Sequence, residues 1–115
     1  MSYSLFIDDE RFPSDHSVRE FHISRTSAEA IQTMKSYGCP EFISFDHDLG
    51  GDDTSMHVIN WMITQDLDRI TFGMSFIPQD FAFTVHSQNP VGAKNIEELL
   101  NSYLRFRSEN GNVCV

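Results

Sequence analysis

The stretch FISFDHDLGGDD, residues 42–53, decides the fold. Its first four residues are as apolar as a strand buried on both faces. They run straight into Asp46, His47 and Asp48, with Asp52 and Asp53 just beyond. Carboxylates placed together repel, and the arrangement is costly unless a metal, a proton or a partner relieves it. The chain opens the same way: LFIDDERF, residues 5–12, is an apolar run that ends in Asp8 and Asp9.

Strands and helices alternate outward from these two points. Residues 3–7 read as a short buried strand, RFPSDHS as a loop, and residues 20–24 as a second strand. Thr26 and Glu29 form a capping box for a helix over residues 27–37, which Gly38 ends. Residues 41–45 are the third strand. Asp52 to Thr54 are expected to cap a helix over residues 55–67, where Ile59, Met62, Ile63 and Leu67 recur at helical spacing. RITFGMSFIPQD, residues 69–80, has no clean period and reads as irregular or short β structure. Residues 81–85 are a fourth strand. Asn89 and Pro90 then open a last helix with an apolar stripe of Ile96, Leu99, Leu100, Tyr103 and Leu104. Residues after Glu109 are expected to fray. This order predicts a single α/β domain over residues 1–115, with a short, mostly parallel sheet of about four strands.

Composition bounds the partners. The chain has 115 residues, 40% of them hydrophobic, ten Phe, and a net charge of −9. Lys35 and Lys94 are its two lysines. Such a chain is not expected to bind duplex DNA, which requires Lys and Arg to neutralise phosphates. A small anion held through a metal is compatible with it. Cys39 and Cys114 lack a disulfide framework and read as free thiols of a reducing cytoplasm. No signal peptide or membrane span is evident.

In open α/β sheets, ligands bind beyond the carboxyl ends of the strands. There the topology gathers Asp8 and Asp9, then Asp46, His47 and Asp48, then His86 and Ser87. Asp8, Asp9 and Asp46 make a carboxylate pocket suited to Mg²⁺ or Mn²⁺. Asp48 shares a side with Asp46 only if the backbone stays extended past Phe45. Asp52 and Asp53 are sufficiently explained as caps. His86 suits proton transfer near neutral pH. Ser87, Asn89 and the helix start after Pro90 can face an anion, and Gly92 permits close approach. The plainer alternative is a satisfied core histidine and a simple cap. Asn95 is a weaker substrate-binding candidate. Arg11 either clamps a phosphate or pairs with nearby acids. Phe72, Met74 and Phe76 either line the pocket or pack in the core.

An acidic pair after the first strand and an aspartate after the third resemble the receiver domain of response regulators, a three-layer, flavodoxin-like fold. By that likeness Asp8 and Asp9 would hold Mg²⁺ and Asp46 would accept a phosphoryl group. Receivers also carry a fifth strand with a Lys, and neither is evident here. DDER, SFDHDLG and VHSQNPVGAKNI are more similar to a divergent relative, the cyclic-phosphate-processing receiver domain. The resemblance implies a metal-dependent phosphoesterase for cyclic nucleotides or RNA termini, with a part in RNA repair. Asp8, Asp9, Asp46 and Asp48 would hold the metal. His47 and His86 would be general acid and base. Arg11, Ser87 and Asn89 would steady the phosphate. Asp46 would alternatively be a nucleophile. The competing classes are a phosphoacceptor signalling module built on Asp46 and a catalytically silent metal- or partner-binding domain.

Overall fold

The computed structural model describes residues 3–13 and 21–111. Strands β1 (Ser4–Ile7), β2 (Phe21–Ser24), β3 (Phe42–Phe45) and β4 (Ala82–Val85) pair in parallel in the order β2-β1-β3-β4. Helices α1 (Ser27–Tyr37), α2 (Met56–Ile70) and α3 (Pro90–Gly111) follow β2, β3 and β4. The expected α/β receiver-like architecture is present, with four strands and no fifth among the described residues. Residues 14–20, including part of the expected loop and the first residue of the second strand, lie outside the described residues, as do Cys114 and the rest of 112–115.

Burial follows position in the sheet. The inner strands β1 and β3 are buried along almost their whole length, and the edge strands β2 and β4 are partly exposed. Leu5, Ile7, Ile43 and Phe45 alternate onto one sheet face and are fully buried. They share a single core with Ala30 and Met34 of α1, Val58, Ile59 and Met62 of α2, and Ile96, Leu100 and Tyr103 of α3. Burying each large aliphatic side chain contributes about 1.5–3 kcal/mol, so this shared face is the main source of stability.

Three local devices fix the helices. The Thr26 hydroxyl accepts the Glu29 N–H at 3.0 Å, and the Glu29 carboxylate accepts the Arg25 N–H at 2.7 Å. At the other end of α1, Gly38 adopts φ +85°, a conformation that favours glycine. The third device corrects an expectation. Asp53 does not cap α2; its carboxylate accepts the Ser27 N–H at 2.8 Å and the Ser27 hydroxyl, and so ties down the start of α1. A turn over Gly50 and Gly51, both at positive φ, redirects it. The Leu49 N–H donates to the Asp53 carbonyl and the Asp53 N–H to the Gly50 carbonyl, closing that turn.

Arg69 and Ile70 of the segment without a sequence period complete α2, and the rest is a loop pinned from α2 and α3. Asp66 is fully buried. Its carboxylate accepts the Phe76 and Ile77 N–H groups at 2.8 and 2.9 Å and the Tyr103 hydroxyl at 2.5 Å. Arg107 pairs with it at 3.3 Å and donates to the carbonyls of Ile77 and Pro78. Phe72 and Met74 are 77% and 59% exposed, so neither packs in the core. Phe76 packs edge-on against Trp61 and borders a groove of about 430 Å³ with Gly38 and Cys39. This groove opens by the amino end of β3, away from the acidic clusters. Burial pushes the free Cys39 thiol up to about 12, which leaves it protonated and inert at neutral pH.

Candidate functional site

Register brings the site together. Ile7 pairs with Phe45, and Phe45 with Val85. The next residue on each of these three adjacent strands is Asp8, Asp46 and His86. The ladder continues through them: the Asp46 N–H donates to the Ile7 carbonyl at 2.9 Å, and the His86 N–H to the Phe45 carbonyl at 2.8 Å. Alternation turns all three side chains away from the helical core, onto the face that carries Phe6 and Ser44. One possible ligand atom from each of Asp8, Asp46 and His86 lies within 4.8 Å of the other two.

Asp8 is fully buried. Its Oδ1 accepts the Glu10 and Arg11 N–H groups at 3.0 and 2.9 Å. Its Oδ2 meets Arg11 Nε at 3.0 Å and His86 Nε2 at 2.9 Å. Burial alone would raise its pKa, but these hydrogen bonds and the Arg11 charge together hold it below the usual carboxylate value. Asp46, 6% exposed, goes the other way. Burial and the neighbouring Asp8 charge raise its pKa, against weaker opposition from His86, Arg11 and a hydrogen bond to Ser87. Arg11 Nη2 stands 3.7 Å from Asp46 Oδ2, so one guanidinium faces both carboxylates.

His86 is locked in place. Its Nδ1 is 2.7 Å from the Ser44 hydroxyl, and its ring stacks on Phe6 at 4.5 Å and 6°. The serine can donate or accept, so it serves either tautomer of the histidine. Arg25 fixes the loop below: its Nη1 donates to the carbonyls of Asp8 and Arg11, and its guanidinium lies 4.6 Å from the centre of the exposed Phe12 ring.

Ser87 reaches Asp46, but the other acids stay outside this three-residue group. Asp9 is exposed and outside the three-residue group. β3 ends at Phe45, so the extended backbone that would align Asp48 with Asp46 is absent. Asp48 instead pairs with His47 Nδ1 at 3.0 Å and accepts from Asn89 Nδ2 at 3.3 Å, and both contacts lower its pKa. His47 lies against Gly92, where an added Cβ would run into the ring. Asn89 is the cap of α3: its Oδ1 accepts the Gly92 N–H and its carbonyl the Ala93 N–H. Those two N–H groups are therefore committed and do not form the anion seat expected after Pro90. The Ser87 hydroxyl accepts the Asn89 N–H at 3.0 Å. Asn95 is exposed on α3.

Sequence reading missed Ser44, Phe6 and Arg25. Alternation along β1 and β3 places Phe6 and Ser44 two residues before Asp8 and Asp46 on the same face, which was the available signal. Nothing local to Arg25 signals its part.

A model of the family described as the cyclic-phosphate processing receiver domain matches residues 3–102. The chain belongs to that family. It is a receiver-like domain tied to cyclic-phosphate processing. No curated protein and no solved structure matches it. No helix among the described residues is long and apolar enough to cross a membrane.

Proposed function

We propose that the domain hydrolyses cyclic phosphate esters of nucleotides or RNA ends, with a divalent ion held by Asp8, Asp46 and His86. The observation that carries this reading is the convergence of two buried carboxylates and a histidine within 4.8 Å, in a family tied to cyclic-phosphate processing. The donor set fits Mn²⁺ or Mg²⁺, because hard oxygen ligands predominate, and the burial and Asp8 repulsion that raise the Asp46 pKa call for a cation. When bound, such an ion would polarise a phosphoryl oxygen. Asp9 and Asp48, outside the group, are not needed as direct ligands.

The chain's own groups supply the rest. Arg11 carries a planar fork suited to two phosphoryl oxygens. The Ser87 hydroxyl, bonded to Asp46, stands where it can orient the ester. His47 is the proton carrier. Asp48 holds its Nδ1, which leaves Nε2 to take a proton from the attacking water and return it to the departing sugar oxygen. With Nδ1 on Ser44, His86 turns Nε2 toward the carboxylates, where it would hold the ion and not carry a proton.

A signalling role for Asp46 is disfavoured by the lysines. Lys94 is largely exposed and 3.8 Å from Glu98, and Lys35 borders the distant groove. The test separates proton transfer from metal binding. His47→Ala is expected to slow hydrolysis of a 2′,3′-cyclic nucleotide by about 10²–10⁴-fold while Mn²⁺ affinity stays unchanged. Asp46→Asn is expected to abolish both. Equal turnover by His47→Ala and the native protein removes His47 from the mechanism.

A further inference from the structure

The Arg11 guanidinium sits on both carboxylates that would hold a metal: its Nε is 3.0 Å from Asp8 Oδ2 and its Nη2 is 3.7 Å from Asp46 Oδ2. Asp8 Oδ1 is occupied by the Glu10 and Arg11 N–H groups, so a metal would meet Oδ2, the oxygen that faces Arg11 and His86 Nε2. The backbone groups cannot leave. His86, pinned between Phe6 and Ser44, does not have to, because Ser44 serves either tautomer and a proton on Nδ1 leaves Nε2 able to ligate. Arg11 can leave, because its side chain is 41% exposed and its second contact, to Asp46, is a loose 3.7 Å. Its backbone stays in place meanwhile, since Arg25 holds the Arg11 carbonyl.

We propose that Arg11 is the resident counter-cation of this site: a divalent ion displaces its guanidinium from Asp8 and Asp46, and the freed fork then receives the phosphoryl group. This rests on the reading that Asp8, Asp46 and His86 hold the metal. Two consequences follow. Metal and arginine compete for the same carboxylates, so the metal-free protein binds a divalent ion weakly. A phosphoryl-like anion gives the displaced guanidinium a new partner, so metal and anion bind cooperatively. The device keeps one cation beside two buried carboxylates whenever the metal is absent.

Free Mn²⁺ followed by electron paramagnetic resonance tests this on the purified chain, with sodium sulfate as the phosphoryl mimic. Arg11→Gln is expected to bind Mn²⁺ about tenfold or more tightly than the native protein without sulfate, since a charge-assisted contact no longer has to be broken. Sulfate is expected to tighten Mn²⁺ binding severalfold in the native protein and to leave Arg11→Gln unmoved. Arg11→Lys keeps the charge but not the fork, and should fall between them. Equal or weaker Mn²⁺ binding by Arg11→Gln, or the same sulfate response in all forms, overturns the proposal and leaves the metal reading standing. If Arg11→Gln does not fold, the sulfate response of the native protein and of Arg11→Lys decides. If no form binds Mn²⁺, the metal reading fails and this proposal fails with it.

Discussion

Asp8 and Asp46 leave neighbouring strands at the same rung and are held in opposite electrostatic states. Asp8 has a lowered pKa, so its contribution to stability is present above about pH 4 and is lost as pH falls through its folded value. Asp46 has a raised pKa, so its charge costs stability above its folded value, and the cost disappears as pH falls and it protonates. Asp46→Asn is therefore expected to stabilise the metal-free protein at pH 7. Urea unfolding should show that gain shrinking as pH falls through the Asp46 titration. A gain that does not change with pH would place the repulsion elsewhere. Asp8, Asp46 and His86 were legible in the sequence because each is the first polar residue after an apolar strand. Asp48 misled because its place depended on where β3 stops, which alternation alone does not show.

At the scale of elements, two contacts set the order of the site and of the loop opposite. Gly92 gives His47 room against the first turn of α3. Gly92→Ala has to displace the ring, and overpacking of this kind costs about 1–3 kcal/mol. Its expected signature is a larger loss of turnover than of thermal stability, since the displaced ring is the proposed proton carrier. The second contact is the pairing of Arg107 with buried Asp66. Arg107→Ala leaves that buried carboxylate without its cation and is expected to cost about 3–5 kcal/mol. Hydrogen exchange at the Phe76 and Ile77 amides should accelerate with it, because Asp66 holds both. Helix and strand identities were readable from period and caps. Residues 71–80 were not, because their order comes from Asp66, Tyr103 and Arg107 on other elements. Asp53 was misassigned for a related reason, since its partner, Ser27, is 26 residues away.

Across the whole molecule, a short parallel sheet places its chemistry on one edge. Three helices bury one face of the sheet, and the residues that follow β1, β3 and β4 meet at its carboxyl end. A ligand that binds only this assembled edge stabilises the fold by mass action. At a Mn²⁺ concentration of 100 times its Kd, native protein should gain about 2.7 kcal/mol, and Asp46→Asn should gain none. A thermal-shift titration checks this, and equal shifts in both proteins would locate the metal elsewhere. The most direct test of the account is ³¹P NMR of a 2′,3′-cyclic nucleotide incubated with the protein and Mn²⁺ or Mg²⁺. The account predicts a growing phosphomonoester signal that requires the metal and is lost in Asp46→Asn and His86→Ala. A cyclic phosphate signal that persists beside folded, metal-loaded protein would contradict it.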